Sequence, residues 1–155
     1  MVNYKVTTTV FGERPDFKEP RKILQELGRD GFAGMMDRFY DIVVESDIAN
    51  FFPQDKDMLD KVKKHNTKFF IEACGGEKEY TNEMGNVDMV AMHKPFSIPE
   101  KARVEWLGCM KELLEELSVS DEAKQEFWDY CEIFSRHLVN KPTDLESHMK
   151  PTDHR

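Results

Sequence analysis

The chain has 155 residues, 39% hydrophobic and 34% charged, with a net charge of −8. That length suits one domain with its own core, stable without disulfides. The acidic balance, with no basic cluster and no apolar run of membrane length, argues against nucleic acid and membrane as partners. Cys74, Cys109 and Cys131 stand apart from one another. None belongs to a CxxC pair, and an odd count suits a reducing compartment. The first residues carry no apolar signal core, so the expected location is the cytoplasm.

Residues 1–19 have no helical period. Val6-Thr7-Thr8-Thr9-Val10 favours extended backbone, and Pro15 and Pro20 interrupt the remainder. The stretch is expected to drape over the domain or to be disordered. A short helix is predicted from Pro20, with Ile23, Leu24 and Leu27 as its apolar face and Gly28 as its stop. Asp30 is expected to cap a second helix. There Phe32, Met35, Met36, Phe39, Tyr40 and Val43 recur at helical spacing and form an inward stripe. Tyr40 lies within it, and a buried tyrosine needs a partner for its hydroxyl.

Residues 47–52 read as one short helical turn closed by Pro53. A third helix is predicted from Gln54 or Asp57 to Cys74, with Met58, Leu59, Val62, Asn66, Phe69, Phe70 and Ala73 inward. Asn66 interrupts that stripe. A buried amide without partners costs about 1–3 kcal/mol, so a polar group should lie opposite it. His65 falls at the edge of the stripe. Gly75-Gly76 ends the helix, and no period is visible from there to Met92. So long a connection is usually functional or disordered, yet Tyr80, Met84, Val87, Met89, Val90 and Met92 are apolar enough to pack.

This stretch ends on Met92-His93-Lys94-Pro95-Phe96-Ser97-Ile98-Pro99, a histidine on a connection stiffened by two prolines. A fourth helix begins near Pro99, with Trp106, Met110, Leu113, Leu114 and Leu117 on its core face. Gly108 inside it weakens the helix and is read as permitting close backbone approach. A fifth follows Ser118 or Ser120 as cap, with Ala123, Phe127, Tyr130, Cys131, Phe134 and Leu138 inward. Asn140-Lys141-Pro142 ends it. The expected organisation is an extension (1–19), a helical domain (20–142) and a polar tail (143–155), without internal repeats.

Five histidines are candidates for chemistry. His148 and His154 lie in the tail, and His137 sits near a helix end where a cation suits the dipole. His65 and His93 remain as candidate ligands. Zinc needs three or four ligands at regular spacing, and the sequence has no such set. One mounted imidazole beside an apolar cavity is what haem requires, because the porphyrin supplies four nitrogens. Tyr40, Asn66 and Trp106 would add polar groups to that cavity; ordinary core packing with satisfied polar tips is the competing reading.

Several segments in order favour the first reading. Arg38-Phe39-Tyr40, Gly75-Gly76 with Tyr80, and His93-Lys94-Pro95-Phe96-Ser97-Ile98 with Trp106-Leu107 together resemble the truncated haemoglobins. The His-x-Pro-Phe-x-Ile run, with tryptophan thirteen positions after the histidine, is most similar to group II of that family. The resemblance spans residues 23–142. It implies an all-α, shortened globin: two helices packed on two, a very short first helix, and a long loop before the proximal histidine.

The resemblance also implies haem b (iron protoporphyrin IX) as cofactor, with His93 as proximal ligand of a five-coordinate iron. Tyr40 and Trp106 match distal residues whose O–H and N–H meet the iron's gaseous ligand. Phe52 matches an aromatic residue wedged on the porphyrin, a role that a small length difference would move to Phe51. Val62 falls at the entrance position, and Phe69, Phe96 and Ile98 fall in the pocket. Asn66 faces the ligand, where group II often has an apolar residue or glutamine. His65 falls where a basic residue meets a haem propionate. A one-residue change of helical phase would exchange Asn66 and His65, and His65 on iron would make the haem six-coordinate.

The implied function is binding of oxygen and other small diatomic ligands, nitric oxide and carbon monoxide among them. Three neutral donors in a dry site stabilise charge on bound oxygen and slow its release. That suits tight binding, sensing or redox turnover better than oxygen transport. The alternative is an enzyme on the same haem, a nitric oxide dioxygenase or peroxidase-like, with a reductase as partner. A haem-free helical interaction module is the third reading. The assembly is expected to be a monomer or dimer.

Overall fold

The computed structural model describes residues 1–141; Pro142 and the tail, with His148 and His154, lie outside the described residues. Helix α1, Arg21–Val43, is two helices joined at a kink. Gly28 at the joint has φ 72° and ψ 173°, a conformation that side chains resist. The expected short first helix therefore runs directly into the second. Ile23, Phe32, Met36 and Phe39 bury the inward face of the pair.

A 3-10 turn, Ala49–Phe51, leads to extended backbone at Phe52 and then to α2, Lys56–Ala73. Asp55 caps α2 by accepting from the Met58 amide at 3.0 Å. Its other end explains the glycine pair. Gly75 has φ 86°, and the amides of Gly76 and Gly75 return to the carbonyls of Ile71 and Glu72 at 2.9 and 3.0 Å. This is the Schellman closure. A Cβ on Gly76 would lie 2.7 Å from Ile71 Cγ2 and 2.8 Å from both the Ile71 carbonyl and Leu24 Cδ2.

The connection to His93, expected to be irregular, contains two short helices: α3, Glu79–Met84, and α4, Met89–Met92. Both are under two turns, too short for a period of 3.6 to show in sequence. Tyr80 anchors α3 in the interior. Asp88 starts α4 by accepting from the Val90 and Ala91 amides at 3.0 and 3.3 Å.

Helix α5, Glu100–Glu116, follows Pro99, and α6, Asp121–Leu138, starts at Ser120, which accepts from the Ala123 amide at 3.1 Å. Helix α1 packs against α2, α5 and α6, and α5 packs on α6. No strand occurs among the described residues, and none of the helices is long and apolar enough to cross a membrane. Nothing lies within 4 Å of a Cβ built on Gly108. The expected close backbone approach there is absent, and Gly108 only loosens α5.

Residues 1–19 lie across α5 and α6 as a strap. Trp128 Nε1 donates to the Lys5 carbonyl at 2.9 Å. The Thr7 amide donates to Glu132 Oε2 at 2.8 Å, and the Thr9 amide to Glu100 Oε2 at 3.0 Å. His137 Nε2 donates to the Pro15 carbonyl at 2.8 Å, so this imidazole holds the strap. Beneath it Arg103 bonds Glu132 at 2.8 Å and Glu100 at 3.0 Å. Arg103 also donates to the Thr7 carbonyl at 3.1 Å and to Ser135 Oγ at 2.9 Å. The extended backbone thus pairs with buried side chains, and no neighbouring strand is needed.

Candidate functional site

A cavity of about 480 Å³ opens between the helices, inside the ~300–1,000 Å³ range of cofactor pockets. Its lining is mostly apolar. Val62, Phe69 and Phe70 of α2 form one wall. Phe51, Phe52 and Pro53 form an edge, so both aromatic residues of that turn face the cavity. Phe96, Ile98 and His93 also line it, with Leu138 at the end of α6.

His93 caps the C-terminus of α4. Its Nδ1 lies 2.7 Å from the Met89 carbonyl. A carbonyl only accepts, so Nδ1 carries a proton, and in the neutral ring Nε2 is the nitrogen with the lone pair. Nε2 has no hydrogen-bond partner among the described residues. Phe96 rests beside the imidazole, with ring centroids 6.2 Å apart. Nothing in the sequence marks Met89 as a functional residue; its carbonyl, four residues before the histidine, is what orients the ring.

The polar group that Asn66 requires is Tyr40. Asn66 Nδ2 donates to Tyr40 Oη, which leaves the phenolic hydrogen free to be donated into the cavity. Tyr40 is buried, with Phe52 packed edge-on at 5.7 Å. Burial pushes its pKa up to about 12, against a smaller opposing effect of the Asn66 bond. The hydroxyl is therefore a neutral donor. Trp106 lines the same cavity, stacked on Phe70 at 6.5 Å and edge-on to Phe39 at 5.7 Å. Its indole N–H has no partner among the described residues.

His65 does not line the cavity. Its Nε2 lies 3.2 Å from Glu83 Oε1 of α3, and Lys68 reaches the same carboxylate. One step along a helix turns a side chain by about 100°, and that step puts Asn66 inside and His65 outside. Tyr80, Arg103 and Ser135 also line the cavity. Arg103 is hard to find in the sequence because a lone arginine in a helix is ordinarily a surface residue. Its place three residues before Trp106 is the signal that put it on the same face.

The donor set fits a haem. No three His, Cys, Asp or Glu side chains come together as a metal site among the described residues. The cavity offers instead one imidazole nitrogen with a free lone pair and an apolar interior. Iron that arrives with four porphyrin nitrogens needs only that.

Helical order, kinked first helix, and a cavity lined by one histidine together with a tyrosine and a tryptophan are those of a globin. The profile of the bacterial-like globin family matches residues 23–140, and the chain belongs to that family. It is similar to the group 2 truncated hemoglobin YjbI of Bacillus subtilis, with 27% identity over 118 residues, 76% of this chain and 87% of that one. Among solved structures it is similar to phosphate-bound Hell's gate globin IV, with TM-score 0.80, 30% identity, and 86% and 84% of the two chains covered. It is also similar to the truncated oxygen-avid haemoglobin of Bacillus subtilis, with TM-score 0.70, 27% identity, and 79% and 100% covered. Globins bind haem, and membership implies haem-based binding of small gaseous ligands.

Proposed function

We propose that this globin would bind haem b through His93 and hold dioxygen, nitric oxide or carbon monoxide tightly beside Tyr40 and Trp106. Haem, when bound, supplies an iron with one position for an imidazole and one for a diatomic gas. His93 offers Nε2 to the first. Tyr40 and Trp106 direct their O–H and N–H toward the second, and Asn66 keeps the Tyr40 hydrogen available by donating to its oxygen. That hydrogen bond is the observation that carries the reading. Phe52, Val62 and Phe69 exclude water, and exclusion of water strengthens each donor. Phe96 and Ile98 close the His93 side. Donors set in this way slow ligand release, in keeping with the oxygen avidity named for the Bacillus subtilis relative. Such a site suits retention, sensing or turnover of the gas better than its delivery.

The test is absorption spectroscopy of protein reconstituted with haem, followed by stopped-flow release of oxygen. His93→Ala should lose or greatly weaken the Soret band, and an unchanged band would remove His93 from the iron. Tyr40→Phe and Trp106→Phe should each release oxygen faster than the parent. Parental rates in both would remove the donor pair.

A further inference from the structure

The segment that carries His93 has little burial to hold it. Lys94, Pro95, Phe96 and Ser97 are all exposed, and His93 and Ile98 are only partly buried. The segment is nevertheless tied down by one residue from the far end of the domain. Asn140 Nδ2 donates to the Phe96 carbonyl at 2.8 Å and to the His93 carbonyl at 3.2 Å. Asn140 Oδ1 accepts from the Ile98 amide at 2.8 Å. The Asn140 amide donates to the Ile98 carbonyl at 3.0 Å. All four bonds go to this one segment and none to the carbonyls of α6, so Asn140 is no cap for the helix it follows.

We infer that Asn140 is a positioning residue for the proximal histidine, fixing the backbone of residues 93–98 while the Met89 carbonyl fixes the ring. The inference rests on the reading of His93 as the iron ligand. Two restraints divide the work. The Met89 bond sets how the imidazole is turned. Asn140 holds the carbonyl of His93 itself, and so sets where the imidazole stands. An amide is suited to this role because it donates and accepts at once. Aspartate at the same place keeps the Ile98 contact and loses both donor bonds.

The experiment uses ferrous protein reconstituted with haem, in the parent and in Asn140→Asp, Asn140→Ala and His93→Gly. The iron–histidine stretching band is read by resonance Raman, and haem loss by transfer to an acceptor apoglobin. Circular dichroism and the urea midpoint report folding. Asn140→Asp and Asn140→Ala should shift or broaden the band and speed haem loss by roughly three- to thirtyfold, as for one or two lost hydrogen bonds. Loss of stability alone would leave the band in place. His93→Gly separates the two claims. A band that survives in His93→Gly overturns the reading of His93, and this inference with it. A band lost in His93→Gly, but parental in position, width and haem-loss rate in both Asn140 variants, overturns the role of Asn140 alone. If Asn140→Asp does not fold, Asn140→Ser is read by the same criteria.

Discussion

Arg103 Nη2 lies 2.8 Å from Glu132 Oε2, and the two side chains are 1% and 2% exposed. Glu100, Arg136, Ser135 and the backbone of Thr7 complete the group. A buried ion pair is worth little against an apolar pair of equal volume, but breaking one by removing a partner is expensive.

Glu132→Ala should therefore destabilise the protein by about 3–5 kcal/mol, read as a shift of the urea unfolding curve. Burial opposes ionisation of Glu132, yet hydrogen bonds from Arg136, the Thr7 amide and Arg103 outweigh it and hold its pKa below the usual carboxylate value. The contribution is then present above the unfolded value, about pH 4.3, and is lost as pH falls through the folded one. The parent should lose stability more steeply in acid than Glu132→Ala. Equal slopes would show that the carboxylate brings no ionised partnership to the fold.

Tyr40→Phe should speed oxygen dissociation by roughly ten- to a hundredfold, the worth of one strong hydrogen bond at about 1.5–3 kcal/mol. Because burial pushes the Tyr40 pKa up to about 12, the parental rate should stay flat through the neutral range and into mild alkali. The raised value comes from burial penalising the phenolate, so the folded chain should lose stability as pH climbs from the tyrosine's ordinary pKa toward the folded value, and be unaffected below the ordinary one. Rate constants that rise with a midpoint near neutrality would assign the control to another group.

Asn66 donates to the Tyr40 oxygen, and on the proposed reading it would act on the gas through Tyr40. Asn66→Leu frees the tyrosine hydroxyl to turn, so it should speed release less than Tyr40→Phe does. In a double-mutant cycle the two changes should be non-additive, because Asn66 loses its effect once Tyr40 has no hydroxyl. Additive effects of both would mean that Asn66 meets the ligand on its own.

Two glycine substitutions should move stability in opposite directions. Gly76→Ala drives a methyl onto the Ile71 carbonyl and should cost about 1–3 kcal/mol. Gly108→Ala meets nothing within 4 Å inside α5 and should add about 0.5–1 kcal/mol. Thermal unfolding of the two variants checks both, and a destabilised Gly108→Ala would reveal a contact at that face.

The helical stripes are readable because Tyr40, Asn66 and Trp106 sit at apolar spacing, and a polar residue in such a row draws notice. Arg103 sits in the same kind of row, but its charge disguises it. Asn140 looks like a helix stop, since its partners are backbone atoms more than forty residues away in sequence, and no local pattern records such a bond. The strap is legible as extended backbone. Its seat on Trp128, Glu132 and His137 is not, because those residues fall between the apolar positions of α6 and nothing in their spacing points to an extended partner.

The strap ties residues 3–15 to residues 125–137, which fixes an order of events in folding. Contacts so distant in sequence form only after the intervening chain has closed its own entropy gap. On the ribosome, residues 3–15 emerge long before Gln125 or Glu132 exists, and must wait unpaired until α6 is complete. In refolding followed by amide exchange, the Thr7 amide should gain protection after those of α1. Seating of this segment is then the closing step of the fold, and it locks the helices that already surround the cavity.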